Sequence, residues 1–153
     1  MKSGLIIIRQ AVITDITDII KIENTCFVND AFSNRQISYL VSKAKGIFYI
    51  AEYNGITAGY ISLITNKRTN SGRVYSVAVH PDYRGLGIAE SLVDRAIDFT
   101  RQEQLKSVFL EVRTDNTAAI SLYEKKGFVK RFVIPYYYED GSDGYSYVLP
   151  LKF

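Results

Sequence analysis

The chain has 153 residues, 47% hydrophobic and 23% charged, with a formal net charge of +3. That length suits one ordinary domain, expected over 1–153, able to bury a core without staples, and the charge is too mild to argue for direct nucleic-acid binding. One cysteine, Cys26, excludes an intramolecular disulfide, and with one histidine, His80, it leaves no Cys/His metal cluster.

No apolar run approaches the ~20 residues of a membrane span. The start, "MKSGLIIIRQ", is too short for a secretory apolar segment. The expected protein is therefore cytoplasmic, without metal or membrane. "GLIIIRQAV" reads as a buried strand. "TDITDIIKIENTCF" reads as a helix that Thr14 or Asp15 caps, with Ile16, Ile19, Ile20 and Ile22 as its apolar stripe. "FSNRQISYLVSKAKG" reads as a second helix: Ser33 is its N-cap, Gln36 completes a capping box and Gly46 lies near its end. "IFYIAEYNGITAGYISLIT" reads as a hairpin turning at Asn54-Gly55.

"RVYSVAVH" is a strand stopped by Pro81. Residues 87–103 form an amphipathic helix, with Ile88, Leu92, Val93, Ala96 and Ile97 on its apolar side. "KSVFLEVRT" is a strand, and "DNTAAISLYEKKGF" a short helix capped by Asp115 or Asn116 and closed by Gly127. "FVKRFVIPYYY" and "GYSYVLPLKF" are two last strands around the turn "EDGSDG". The order implies one α/β (α+β) domain. Its sheet is mixed and mostly antiparallel, with a parallel pair (the strand ending at His80 and the strand at 107–113) and flanking helices.

"HPDYRGLGIAESL" opens the long helix. Gly85 and Gly87 free the backbone so that several N–H groups can point at one spot, and the helix start adds partial positive charge. Arg84 adds a full charge. A phosphate site and a plain strand-to-helix turn are both consistent with these residues alone. A dinucleotide fingerprint is not, because Glu103, the acidic residue at about the right distance, falls inside the helix.

Downstream residues narrow the choice. "VYSVAVHPDYRGLGIAESLV", "LEVRTDNTAAISLYEKKGF" and Tyr137-Tyr138 before Asp140-Gly141 together resemble the GNAT acetyltransferase superfamily, and within it the ribosomal-protein-alanine N-acetyltransferase (RimI-type) branch. The resemblance is strongest over Val74–Leu149. It implies the GNAT fold, with acetyl-CoA as cosubstrate. The diphosphate would lie on the loop Arg84, Gly85, Leu86, Gly87, Ile88, Ala89 and Glu90. The pantetheine amides would run along the backbone of Val77, Ala78 and Val79, with Asn116 near the coenzyme.

Alternation places Ser107, Phe109, Glu111 and Arg113 on one strand face. A carboxylate there wants a partner, and a Glu111–Arg113 or Glu111–Lys pair is one reading. The resemblance implies another, Glu111 as the general base. Tyr123 reads from the residues as a core aromatic with its hydroxyl at the edge; the resemblance implies the acid that protonates the coenzyme-A thiolate. Tyr136, Tyr137 and Tyr138 read as cross-strand aromatics of the last hairpin, and the resemblance implies that Tyr137 and Tyr138 close over a substrate N-terminus. Cys26 and His80 read as structural. The expected activity is transfer of acetyl to a protein N-terminal α-amine, a ribosomal one among the candidates, in a direct ternary complex by a monomer or homodimer. A small amine, a lysine side chain, or a non-catalytic coenzyme-A module are the alternatives.

Overall fold

The computed structural model describes residues 4–27 and 30–151. In chain order the elements are β1 Ile6–Gln10, α1 Ile16–Cys26, α2 Asn34–Ser42, β2 Gly46–Tyr53, β3 Ile56–Asn66, β4 Ser71–Val79, α3 Ile88–Gln102, β5 Ser107–Arg113, α4 Thr117–Lys125, β6 Val129–Ile134 and β7 Gly144–Pro150. The seven strands hydrogen-bond in the order β1-β2-β3-β4-β5-β7-β6. β4 and β5 are parallel, Ser71–Arg73 against Ser107–Phe109, as the connecting helix requires. The described residues cluster into two compact units, one within Met1–Ile64 and Tyr75–Ala96, the other within Thr65–Val74 and Ile97–Phe153.

In the first unit, β2 and β3 turn at Asn54 (φ 51°) and Gly55 (φ 85°), the left-handed pair that a tight hairpin needs. Ser33 caps α2 as the sequence indicates: its Oγ accepts from Gln36 N, and Gln36 Oε1 accepts from Ser33 N. α2 ends at Ser42, before the expected Gly46, which instead opens β2. Asp15 precedes α1 without a side-chain cap. Its carboxylate accepts from Val12 N and pairs with Arg9, which holds it below the usual carboxylate range. Ile19, Ile22, Ile37, Leu40, Phe48, Ile50 and Tyr60 pack as the core of this unit.

In the second unit, β5 alternates as read: Val108, Leu110 and Val112 are buried, while Phe109, Glu111 and Arg113 are half-buried. β7 pairs antiparallel with β5, placing Ser146 opposite Glu111, and β6 forms the edge. The strand expected to run through "PYYY" stops at Ile134. Tyr136 has φ 53° and is 81% exposed, so Pro135 and Tyr136 turn the chain out of the ladder. The last strand was expected to reach Phe153; β7 ends at Pro150, and residues 152–153 lie outside the described residues.

Candidate functional site

The glycine turn and the end of its strand, from Tyr75 to Val79, belong to the first unit. Pro81–Tyr83 is one 3-10 turn, capped by His80, whose Nδ1 accepts from Asp82 N at 3.1 Å. Gly85 (φ 79°) and Gly87 (φ 83°) are left-handed, and a β-carbon on either would meet no atom within 4 Å. The bare turn therefore answers a conformational need and leaves open space above the backbone, where an anion can approach the N–H groups. Gly87 O accepts the first helical bond of α3, from Ser91 N at 3.0 Å. The residues fit a diphosphate on this count.

Arg84 does more than sit at the mouth of the turn. Its Nε donates to Val79 O at 3.1 Å and its Nη2 reaches Cys26 Sγ at 3.5 Å, so the side chain straps the turn to the end of β4. Burial pushes the Cys26 thiol up in pKa, which disfavours the thiolate a nucleophile needs. Gly59 lets β3 approach β4 closely; a β-carbon there would stand 2.8 Å from Ala78 O.

Further along the same unit lies a buried network that residue-by-residue reading of the sequence missed. Glu23 is 1% exposed and accepts from Tyr60 OH and from Phe32 N, the latter at 2.8 Å. Tyr60 OH also meets Ser76 Oγ at 2.8 Å, and Phe32 stacks on Tyr75 with ring centroids 5.3 Å apart. Burial raises the pKa of both Glu23 and Tyr60.

The second unit gathers the remaining candidates. Arg73 Nε and Nη2 donate to Glu111 Oε1 at 2.9 and 2.6 Å. Tyr137 OH lies 3.1 Å from Arg73 Nη2 and 3.4 Å from the same Glu111 oxygen. Glu111 thus has a partner, but it is Arg73, not Arg113 or a lysine. Arg113 instead pairs with Asp140 and lies over the Tyr138 ring, 4.3 Å from its centroid. Arg73 is the site residue the sequence reading passed over. It sits in the parallel register two positions behind Glu111, a relation that only the β4–β5 pairing reveals.

Tyr137 and Tyr138 meet edge to face, centroids 4.9 Å apart. Tyr138 also acts on Tyr123, whose hydroxyl is pushed up in pKa first by burial and then by this neighbour. Tyr123 is 5% exposed and packs on Phe128. Tyr138, Tyr137 and Glu111 therefore form a connected corner, while the ring contact of Tyr123 is with Phe128. Asn116 caps α4, its Oδ1 accepting from Ala119 N at 3.2 Å. Among the described residues, no three His, Cys, Asp or Glu side chains group as a metal site, and no helix is long and apolar enough to cross a membrane.

The chain is similar to known proteins in sequence and in fold. The pattern of the acetyltransferase (GNAT) family matches residues 13–128. An N-alpha-acetyltransferase of Sulfurisphaera tokodaii is 34% identical, over 94% of this chain and 92% of its own length. The solved alanine N-acetyltransferase of a ribosomal protein from Escherichia coli superposes with a TM-score of 0.87, at 25% identity, over 97% of this chain and 96% of that one. One chain of a solved NatC complex bound to Gag peptide and CoA superposes with a TM-score of 0.84, at 27% identity, over 96% of this chain and 99% of that one.

Proposed function

This chain belongs to the acetyltransferase (GNAT) family, and from that premise we propose that it acetylates protein N-terminal α-amines from acetyl-CoA, as one catalytic domain in the cytoplasm. The observation that carries the reading is the Glu111 carboxylate, held through one oxygen by Arg73 and Tyr137 on a half-buried strand face. The N-alpha-acetyltransferase relatives support a peptide acceptor, and the likeness to the ribosomal-protein enzyme makes a ribosomal N-terminus one candidate.

Acetyl-CoA supplies an acetyl thioester. The backbone of Gly85–Ala89 would take its diphosphate, with the charge of Arg84 beside it, and the backbone of Val77–Val79 would pair with its amide arm. Glu111 would remove the proton of the acceptor amine, directly or through one water. An α-amine has a pKa near ~8, so little help is needed. The nitrogen lone pair then attacks the thioester carbon, and collapse breaks the C–S bond, expels the thiolate and releases the second amine proton, leaving the amide. Tyr123 would hydrogen-bond that sulfur and relay to it the proton the nitrogen gives up, so that CoA leaves as the thiol and the hydroxyl is restored. Its raised pKa keeps the proton in place beforehand and suits it to hydrogen-bond donation as the charge develops. The elevated thiol pKa of Cys26 and the occupied Nδ1 of His80 favour direct transfer over an acyl-enzyme.

The test is a panel of N-terminal peptides, varied at the first two residues and including ribosomal N-termini that begin with Ala, assayed for released CoA beside polyamines and lysine-bearing internal peptides. Turnover of α-amine peptides is expected. Turnover of small amines with none of any peptide overturns the reading.

A further inference from the structure

We infer that Arg131 reads a carboxylate on the acceptor, an Asp or Glu side chain one or two residues beyond the reacting amine; this rests on the N-terminal acetyltransferase reading above. The β6–β7 register runs Val129 to Val148 and Lys130 to Tyr147, then jumps to Phe132 opposite Ser146. Arg131 is the extra residue of that bulge. A bulge re-aims a side chain, and here it separates two adjacent cations. Lys130 lies over the Tyr145 ring at 4.1 Å. Arg131 turns to the other face, where Nε and Nη2 donate to the buried Ser146 Oγ at 3.1 and 2.8 Å. Its guanidinium carbon stands 5.4 Å from the Phe109 ring centroid and 5.3 Å from that of Phe132.

That face is the face of the catalytic candidate. Ser146 is directly opposite Glu111 in the β5–β7 ladder, so the residue that anchors the guanidinium lies about one strand spacing, ~4.8 Å, to the side of Glu111. Arg9, Arg73 and Arg113 each hold a carboxylate of this chain. Among the described residues, Arg131 holds a hydroxyl and two rings. Of its five N–H donors, the pair on Nη1 makes none of these bonds. A guanidinium already fixed between rings, with a donor fork left over, matches a carboxylate in geometry and loses little freedom on binding. An extended peptide advances ~3.3 Å per residue. With its amine at Glu111, the side chain of its second or third residue comes within reach of Arg131.

The experiment uses peptides that differ only at residues two and three, carrying Asp, Asn or Lys, with kcat and KM measured separately. The wild-type chain is expected to favour Asp over Asn about tenfold in kcat/KM, mainly through KM, and to disfavour Lys. Arg131→Gln should bring the Asp-to-Asn ratio near one. Arg131→Glu should invert the preference toward Lys, a gain that a loosened fold cannot produce. Equal use of Asp and Asn peptides by the wild type, or an unchanged ratio in Arg131→Gln, overturns the inference and leaves N-terminal acetylation standing. Small-amine turnover with no peptide turnover overturns both.

Discussion

Arg73 of β4 grips one oxygen of Glu111 on β5, with Nε at 2.9 Å and Nη2 at 2.6 Å, and shares Nη2 with the Tyr137 hydroxyl at 3.1 Å. The Arg73 side chain is 35% exposed and that of Glu111 13%, so the pair contributes only on the order of 1 kcal/mol to stability. Its value lies in aim: a carboxylate fixed through one oxygen presents the other in a set direction. Glu111→Gln is expected to lower kcat by roughly 100-fold or more, the usual weight of a positioned base. Arg73→Met should lower kcat about tenfold with little change in thermal midpoint, and Arg73→Lys should recover part of it. A loss of midpoint with kcat intact in Arg73→Met would mark the pair as structural.

Tyr123 gives a second, separable effect. Tyr123→Phe keeps the ring that packs on Phe128 and removes only the hydroxyl. It should cut kcat roughly 10- to 100-fold while the fold holds. Because burial raises its pKa in the folded chain, its contribution to stability is fully present below the unfolded tyrosine value of ~10 and is lost as pH rises above it. The phenylalanine variant should therefore lose less stability than the wild type between about pH 9 and 11. Parallel melting curves over that range would reveal the difference, and superimposable pH profiles would contradict it.

Local rules made much of this legible in the sequence. Asn54-Gly55 specified its hairpin, Ser33 and Gln36 their capping box, and the alternation from Ser107 to Arg113 its buried face, because each depends on residues a few positions apart. The partner of Glu111 was not legible. Arg73 is 38 residues away and meets it only through the parallel register, while the nearer Arg113 is drawn off by Asp140. The Glu23–Tyr60–Ser76 chain was hidden for the same reason. The "YYY" run misled as a strand because alternation cannot show that Pro135 and a left-handed Tyr136 leave the ladder.

The glycine turn separates binding from catalysis. A β-carbon at Gly87 would meet nothing, so Gly87→Ala acts through backbone strain, about 1 kcal/mol or more for a left-handed residue. If the turn holds the diphosphate, straining it should raise KM for acetyl-CoA several-fold and leave KM for the peptide near its wild-type value. Gly55, equally open and left-handed, turns the β2–β3 hairpin. Gly55→Ala should lower the thermal midpoint comparably and leave KM for acetyl-CoA unmoved. Equal KM changes in both variants would remove the turn from the binding site.

Glu23 makes a stability prediction of a definite sign. The carboxyl is buried, and burial raises its pKa in the folded chain although Tyr60 and Phe32 donate to it. For a group raised in this way, stability is fully present below the unfolded value of ~4.3 and is lost as pH rises through the folded value. Asp15 works the other way: its pKa is lowered by Arg9, so its contribution is present above the unfolded carboxylate range and lost as pH falls through the folded value. Glu23→Gln keeps an acceptor for the Phe32 N–H, removes the titration and leaves Asp15 in place. In the difference between the two proteins the Asp15 contribution cancels. Unfolding by denaturant from about pH 4 to 8 should therefore show the wild type losing stability relative to Glu23→Gln as pH rises. A difference that stays constant across that range would mean that the carboxyl ionises as easily inside the fold as outside it.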